Sequence, residues 1–242
     1  SFALNWILIA AGAVIFQRIG QIDGHRQPFS LADIYIQWPY TGPSTIPNYA
    51  LVLLSVVFPA IVILIWSLLI EAKVRGRSAH WSTRALQLNS AWLGLGLSVV
   101  LSMAFTNILK VTVGRPRPDL VARCAPSSGA ADAIYAGLVT SSICTTTNSS
   151  RLHDGFRSFP SGHASMAFSG LAYLAFYLAA RLHLWNNRGE TWKWVLVMIP
   201  AVTAALVGAT RIMDNRHHPF DVLFGAALGI ATSAFSYRQY FP

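Results

Sequence analysis

Six long apolar stretches, each free of Asp, Glu, Lys and Arg, alternate with polar segments along the chain. They run Phe2–Phe16, Ala50–Ile70, Leu86–Leu109, Ala164–Ala180, Trp194–Thr210 and Val222–Tyr237. A helix needs about 20 residues to cross the hydrocarbon core, within a range of about 17–25. The second and third stretches, 21 and 24 residues long, meet that length unaided. The last three are shorter, and the pattern predicts that flanking polar residues continue those helices. Backbone groups in lipid must be satisfied within the segment, and runs this continuous do not read as barrel strands. The predicted fold is all-α, a six-helix transmembrane bundle. With no internal repeat and no low-complexity segment, residues 1–242 read as one integral membrane domain.

Composition agrees with this pattern. Hydrophobic residues make up 54% of the chain and charged residues only 11%, against roughly 25% charged in a soluble domain. The chain opens Ser-Phe-Ala inside an apolar run, which reads as a trimmed or incomplete start and not as a signal peptide. Seven of the eight tryptophans, at 38, 66, 81, 92, 185, 192 and 194, mostly fall near predicted helix ends, the place of an aromatic belt.

The net charge is +9. The cations sit in short loops between apolar runs, not in one contiguous patch, so no nucleic-acid partner is expected. Alternation puts both termini and loops 2 and 4 on one membrane side, and loops 1, 3 and 5 on the other. Loop 2 carries Lys73, Arg75, Arg77 and Arg84; loop 4 carries Arg181, Arg188 and Lys193. With Arg238, the first side has eight Lys and Arg against ten on the second. Setting aside four binding-site candidates, Lys110, Arg115, Arg117 and Arg211, leaves eight against six. That balance favours a cytosolic location for loops 2 and 4. Loop 3 then faces a non-cytosolic compartment, where Cys124 and Cys144 are expected to form a disulfide.

Three polar clusters interrupt the apolar pattern, all predicted on the loop 3 side. Lys110 to Pro118 follows the third stretch, Pro160-Ser161-Gly162-His163 precedes the fourth, and Arg211 to Asp221 joins the fifth to the sixth. Ionisable groups are costly beside hydrocarbon, so clusters there mark function. Lys110, Arg117 and Arg211 supply fixed cations suited to one phosphate; the Arg fork matches its oxygens. Ser161, Gly162 and His163 stand where a helix begins, and free N–H groups at such a start bind anions. His217 and Asp221, four residues apart, are predicted to share a helix face, with the carboxylate fixing the imidazole tautomer. Each cluster alone is common: a stiff loop, a capped turn, a chance pair. Their joint occurrence in a chain with few charges points to phosphate chemistry.

These three clusters resemble the signatures of the type 2 phosphatidic acid phosphatase superfamily. Lys110 and Arg117-Pro118 match the first, and residues 160–163 are identical to the second. Arg211, His217 and Asp221 match the spacing of the third, with Thr210 standing where that signature has Ser. His218 does not fit the spacing. The resemblance spans about residue 50 to the end. The stretch Gly114 to Leu120 followed by Cys124, and Asp154 to Phe159, are most similar to eukaryotic lipid phosphate phosphatases, in particular fungal diacylglycerol pyrophosphate phosphatases.

The resemblance implies an enzyme that dephosphorylates membrane lipid phosphates without cofactor or metal. Phosphatidic acid, lysophosphatidic acid and diacylglycerol pyrophosphate are the implied substrates; polyprenyl pyrophosphate and sphingoid phosphates are the alternatives. It implies His217 as nucleophile, Asp221 as its support and His163 as general acid and base. Lys110, Arg117, Ser161, Gly162 and Arg211 would bind the phosphate. Arg115, Arg123, Arg151, Arg157, Arg216 and His218 read as solvated loop charge, and His153 and Asp154 carry no assigned role. An inactive lipid-binding protein would be expected to lose signature residues, and none is lost. A transporter would be expected to carry mid-helix charge, whereas these charges lie at helix ends.

Overall fold

The computed structural model describes residues 2–70, 81–133, 137–186 and 188–241. Among the described residues, six helices are long and apolar enough to cross a membrane. They are α1 (Phe2–Ile19), α2 (Asn48–Leu69), α3 (Trp81–Val113), α4 (Gly162–Arg181), α5 (Thr191–Met213) and α6 (Pro219–Tyr240). The chain is an all-α, multi-pass membrane protein. The last three helices do run beyond their apolar stretches, and they take Gly162, His163, Arg211 and Asp221 with them. Lys73, Arg75 and Arg77 of loop 2 lie outside the described residues.

α4 is the central helix, touching α2, α3, α5 and α6, and it has the largest buried share of the six. Its inner face is built from small residues, among them Ala164, Ser165, Ala167, Ser169 and Gly170. Lipid tails are as apolar as leucine, so helices in a bilayer gain by close backbone approach, which small residues permit. Gly225 and Gly229 give α6 the same closeness to α4. α2 adds a second device. Pro59 has no N–H to offer the carbonyl of Ser55 four residues earlier. The helix takes a π turn over Leu53–Val57, and Gly170 of α4 lies directly against that carbonyl. Trp92 sits inside α3, eleven residues from its start, and donates to the Ala60 carbonyl of α2 at 3.1 Å. α1 packs on α3 and has no buried residue.

Loops 1 and 3 form a cap over one end of the bundle. His25 N–H donates to the Val111 carbonyl, Gln27 N–H to Gly114, and Trp38 N–H to Pro118. Phe29, Ile36, Leu120, Cys124, Val139 and Phe156 make a small apolar core within the cap. A Cys124–Cys144 disulfide closes it. Gly114, at φ +65°, allows the backbone to turn against the His25 carbonyl, where a side chain would collide. Thr45 of loop 1 donates through its N–H and hydroxyl to Asp214 of loop 5. Loops 1, 3 and 5 thus meet on one face, as the alternation requires.

Candidate active site

The site forms where α3, α4, α5 and α6 end beneath the cap. Lys110 occupies the last turn of α3, and its Nζ donates to the Arg157 carbonyl at 2.7 Å. Beyond it, Arg115-Pro116-Arg117-Pro118 leaves the helix as a stiff strap. Arg117 N–H donates to the Gly155 carbonyl, and its guanidinium donates to Asp154 Oδ1 at 2.8 Å. Burial lowers the Arg117 pKa from its ordinary value, with Asp154 opposing. Asp154 shows the converse balance. Burial would raise its carboxyl, but Arg117, Arg123, Lys110 and Arg216 together hold it at about 2.

α4 starts with Ser161 as its N-cap, the hydroxyl accepting from Ala164 N–H at 3.4 Å. The N–H groups of Gly162 and His163 in the first turn have no partner within the helix. His163 places Nε2 3.0 Å from the Ile46 carbonyl of loop 1, which leaves Nδ1 as its second functional nitrogen. Arg211, in the last turn of α5, is almost wholly buried. It donates to Asp214 Oδ2 at 2.8 Å and to Ser44 Oγ at 3.2 Å.

His217 is 4% exposed and sets Nδ1 2.6 Å from the Ser158 carbonyl. A carbonyl only accepts, so Nδ1 carries the proton and Nε2 keeps its lone pair. Burial, then the nearby Arg117 and Lys110 charges, hold its pKa well below the ordinary histidine value. The ring is therefore neutral at physiological pH, the state a nucleophile needs.

The expected His217–Asp221 bond is absent. α6 begins at Pro219, with His218 as N-cap, so His217 lies in the preceding turn and not on the helix face of Asp221. Asn215, at φ +53°, reverses the chain there. Pro219 lacks an N–H and fits the first helical position, which fixes the start. Asp221 is fully buried. It accepts from Ser158 Oγ at 2.5 Å, from His218 N–H at 3.1 Å and from Arg115 Nη1 at 2.6 Å. Its His218 Nδ1 contact is 3.2 Å. Asp221 reaches His217 only through Ser158, whose hydroxyl it holds and whose carbonyl holds the imidazole.

A cavity of about 750 Å³ brings Lys110, Arg117, Gly162, His163, Arg211 and His217 together. Ser161 and Asp221 stand behind its wall. The residues read as solvated loop charge are mostly something else. Arg123, Arg157 and Arg216 are buried, and Arg157 and Arg216 line the cavity. Arg123 pairs with Asp119 and Asp154, and Arg115 with Asp221. Arg216 donates to the Gly42 carbonyl and stacks over Tyr40, 5.0 Å from its ring centre. Among the described residues, no three or more His, Cys, Asp or Glu side chains gather as a metal site. Ser158 was missed from sequence, because the part it plays toward His217 belongs to a backbone carbonyl and its hydroxyl bond to Asp221 follows no motif spacing; only its place two residues before Pro160-Ser161-Gly162-His163 hinted at it.

Residues 91–242 match the PAP2 superfamily. "Probable diacylglycerol pyrophosphate phosphatase 1" of Schizosaccharomyces pombe is 38% identical over 216 residues, 88% of this chain and 72% of the relative. Diacylglycerol pyrophosphate phosphatase 1 of Saccharomyces cerevisiae is 35% identical over 223 residues, 90% of this chain and 73% of that protein. Lipid phosphate phosphatase 2 of Arabidopsis thaliana is 35% identical over 199 residues, 82% of this chain and 63% of that protein. No solved structure matches this chain. Sequence likeness along most of the chain, with three signatures meeting in one cavity at the ends of membrane helices, makes this chain a member of the PAP2 superfamily.

Proposed function

We propose that this chain is one integral membrane lipid phosphate phosphatase domain, working through a phosphohistidine and without metal. The observation that carries this reading is His217: a buried, neutral imidazole with its Nδ1 proton committed to the Ser158 carbonyl, facing a cavity lined by cations. Nε2 attacks phosphorus, and the bond from phosphorus to the lipid oxygen breaks. His163, whose Nε2–H stays on the Ile46 carbonyl, enters this step protonated on Nδ1 as well and gives that oxygen the Nδ1 proton, which leaves the ring neutral with Nδ1 free to act as base. In the second half, His163 takes a proton from water, whose oxygen attacks the phosphohistidine; inorganic phosphate leaves and His217 is regenerated. Lys110, Arg117, Arg211 and the N–H groups at the start of α4 hold the phosphoryl oxygens, the electrostatic work that phosphoryl transfer mainly requires. These fixed cations take the part a divalent ion plays elsewhere.

Phosphatidic acid, lysophosphatidic acid and diacylglycerol pyrophosphate are the proposed substrates, consistent with the names of the relatives. The site faces the non-cytosolic side, in keeping with the Lys and Arg balance of the loops and with the disulfide in the cap.

The test is phosphate release from phosphatidic acid and diacylglycerol pyrophosphate by purified protein with excess EDTA. Release that persists in EDTA and is lost in His217→Ala supports the reading. Residual turnover in His217→Ala removes the nucleophile assignment. Monodisperse protein that acts on neither lipid moves the substrate to polyprenyl pyrophosphates or sphingoid phosphates; inactivity on those too leaves a lipid-binding protein.

A further inference from the structure

The cavity holds more positive charge than one phosphate needs. Among the described residues its lining carries five fixed cations, Lys110, Arg117, Arg157, Arg211 and Arg216, against one carboxylate, Asp154. A phosphate monoester brings roughly −1.5 to −2 at neutral pH. Arg117 and Arg211 are each held by a carboxylate within hydrogen-bond distance.

Arg157 differs from those two. It is 8% exposed, and among the described residues no carboxylate lies within ion-pair range of it. Its guanidinium has one side-chain partner, His153 Nε2, at 3.1 Å. That same nitrogen lies 3.2 Å from the Ile22 carbonyl. A ring nitrogen either donates or accepts, so it cannot satisfy the guanidinium and the carbonyl together. Asp154 and Asp23 offset its charge only from beyond contact; a buried cation with no directly paired counter-ion is costly, and an anion in the cavity lowers that cost. Arg216 adds a second sign: its Nε is buried with no partner.

The position of Arg157 says which anion. Its own carbonyl takes Lys110, and the next carbonyl along the chain takes His217. The guanidinium is thus a neighbour of the reacting phosphate. It shares the cavity lining with His153 and with Gln17 and Gln21 at the end of α1.

We infer that Arg157, with His153, binds the second phosphate of a lipid diphosphate headgroup whose outer phosphate lies at His217 among Lys110, Arg117 and Arg211. This rests on the phosphatase reading above. When His217 takes the outer phosphoryl group, the bond from its phosphorus to the bridging oxygen breaks. That oxygen leaves with the inner phosphate, and Arg157 stabilises the charge it gains. A monophosphate substrate has nothing to place there.

The test compares kcat/KM for diacylglycerol pyrophosphate and for phosphatidic acid of matched acyl chains, using full-length purified protein. Arg157→Gln is expected to lower the diphosphate-to-monophosphate ratio by about tenfold or more, the scale of a charged hydrogen bond. Arg157→Lys should recover part of it, and His153→Gln should lower it less. A similar fall for both lipids, or an unchanged ratio, overturns the subsite. Should Arg157→Gln not fold, the Arg157→Lys ratio decides: a value equal to wild type overturns it. Wild-type protein that hydrolyses only the monophosphate also overturns it, while the phosphatase reading stands. Should wild-type protein hydrolyse neither lipid, the same ratio is read on a polyprenyl diphosphate and its monophosphate, and inactivity there and on sphingoid phosphates overturns both readings.

Discussion

Ser158 does two things at once. Its carbonyl fixes the tautomer of His217, and its hydroxyl is held by Asp221. Removing the hydroxyl keeps the carbonyl but loosens its aim. Ser158→Ala is therefore expected to lower kcat by about tenfold while KM changes little, since misplacement of a reacting group costs rate before binding. Steady-state kinetics on phosphatidic acid would show it; an equal rise in KM would count against a positioning role. Asp154 carries a pH signature. Its folded pKa of about 2 lies below the ordinary carboxylate value of 3.8, so its pairing stabilises the fold above that value and is lost as pH falls from 3.8 towards 2. The side chain is 42% exposed, and solvent screens part of the gain. Asp154→Asn should melt below wild type at pH 7, with the gap closing across that acid window. The signatures were legible from sequence as a pattern, because motif spacing survives any fold, and six of their residues line one cavity. The partner of Asp221 was not, because it depends on where α6 begins. A four-residue spacing reads as one helix face, and a proline two residues after His217 breaks that reading.

Element boundaries follow from the apolar runs, which name the spans but not their faces. What sets the faces is the placement of small residues. A Cβ on Gly229 of α6 would stand 2.5 Å from the Ser165 carbonyl and 2.7 Å from Phe168 Cβ on α4. Gly229→Ala forces these helices apart and should destabilise the protein by about 1–3 kcal/mol, the usual cost of overpacking. A lower melting temperature in detergent would register it. The shift also moves Gly225, which lies against the Ser161 carbonyl at the N-terminal end of α4, so activity should fall as well. Loop 1 was opaque for another reason. Ser44, Thr45 and Ile46 touch Arg211, Asp214 and His163, but hydroxyls and a backbone carbonyl leave no pattern in a sequence.

At the scale of the molecule, one disulfide holds the cap that closes the site. Cys124 and Cys144 are 20 residues apart, and opening a loop of that length costs about 3 kcal/mol in the chain-entropy view. Cys124→Ser with Cys144→Ser should lower the melting temperature, and reductant should have the same effect on wild type but none on the double variant. Arg123, beside Cys124, pairs with Asp154, which in turn holds Arg117 at the cavity, so activity is expected to fall with the bond.

The placement of the cavity has a kinetic consequence. Its lining runs from Arg117 and His217 beside the helix ends to Leu51, Val99 and Met103 within the spans, with Gln17 of α1 and Asn48 of α2 also on its wall. A substrate that reaches it from the bilayer is counted per unit area, not per unit volume. Adding inert detergent at constant total lipid should therefore slow the enzyme by thinning the surface, while diluting lipid and detergent together should leave the saturated rate unchanged.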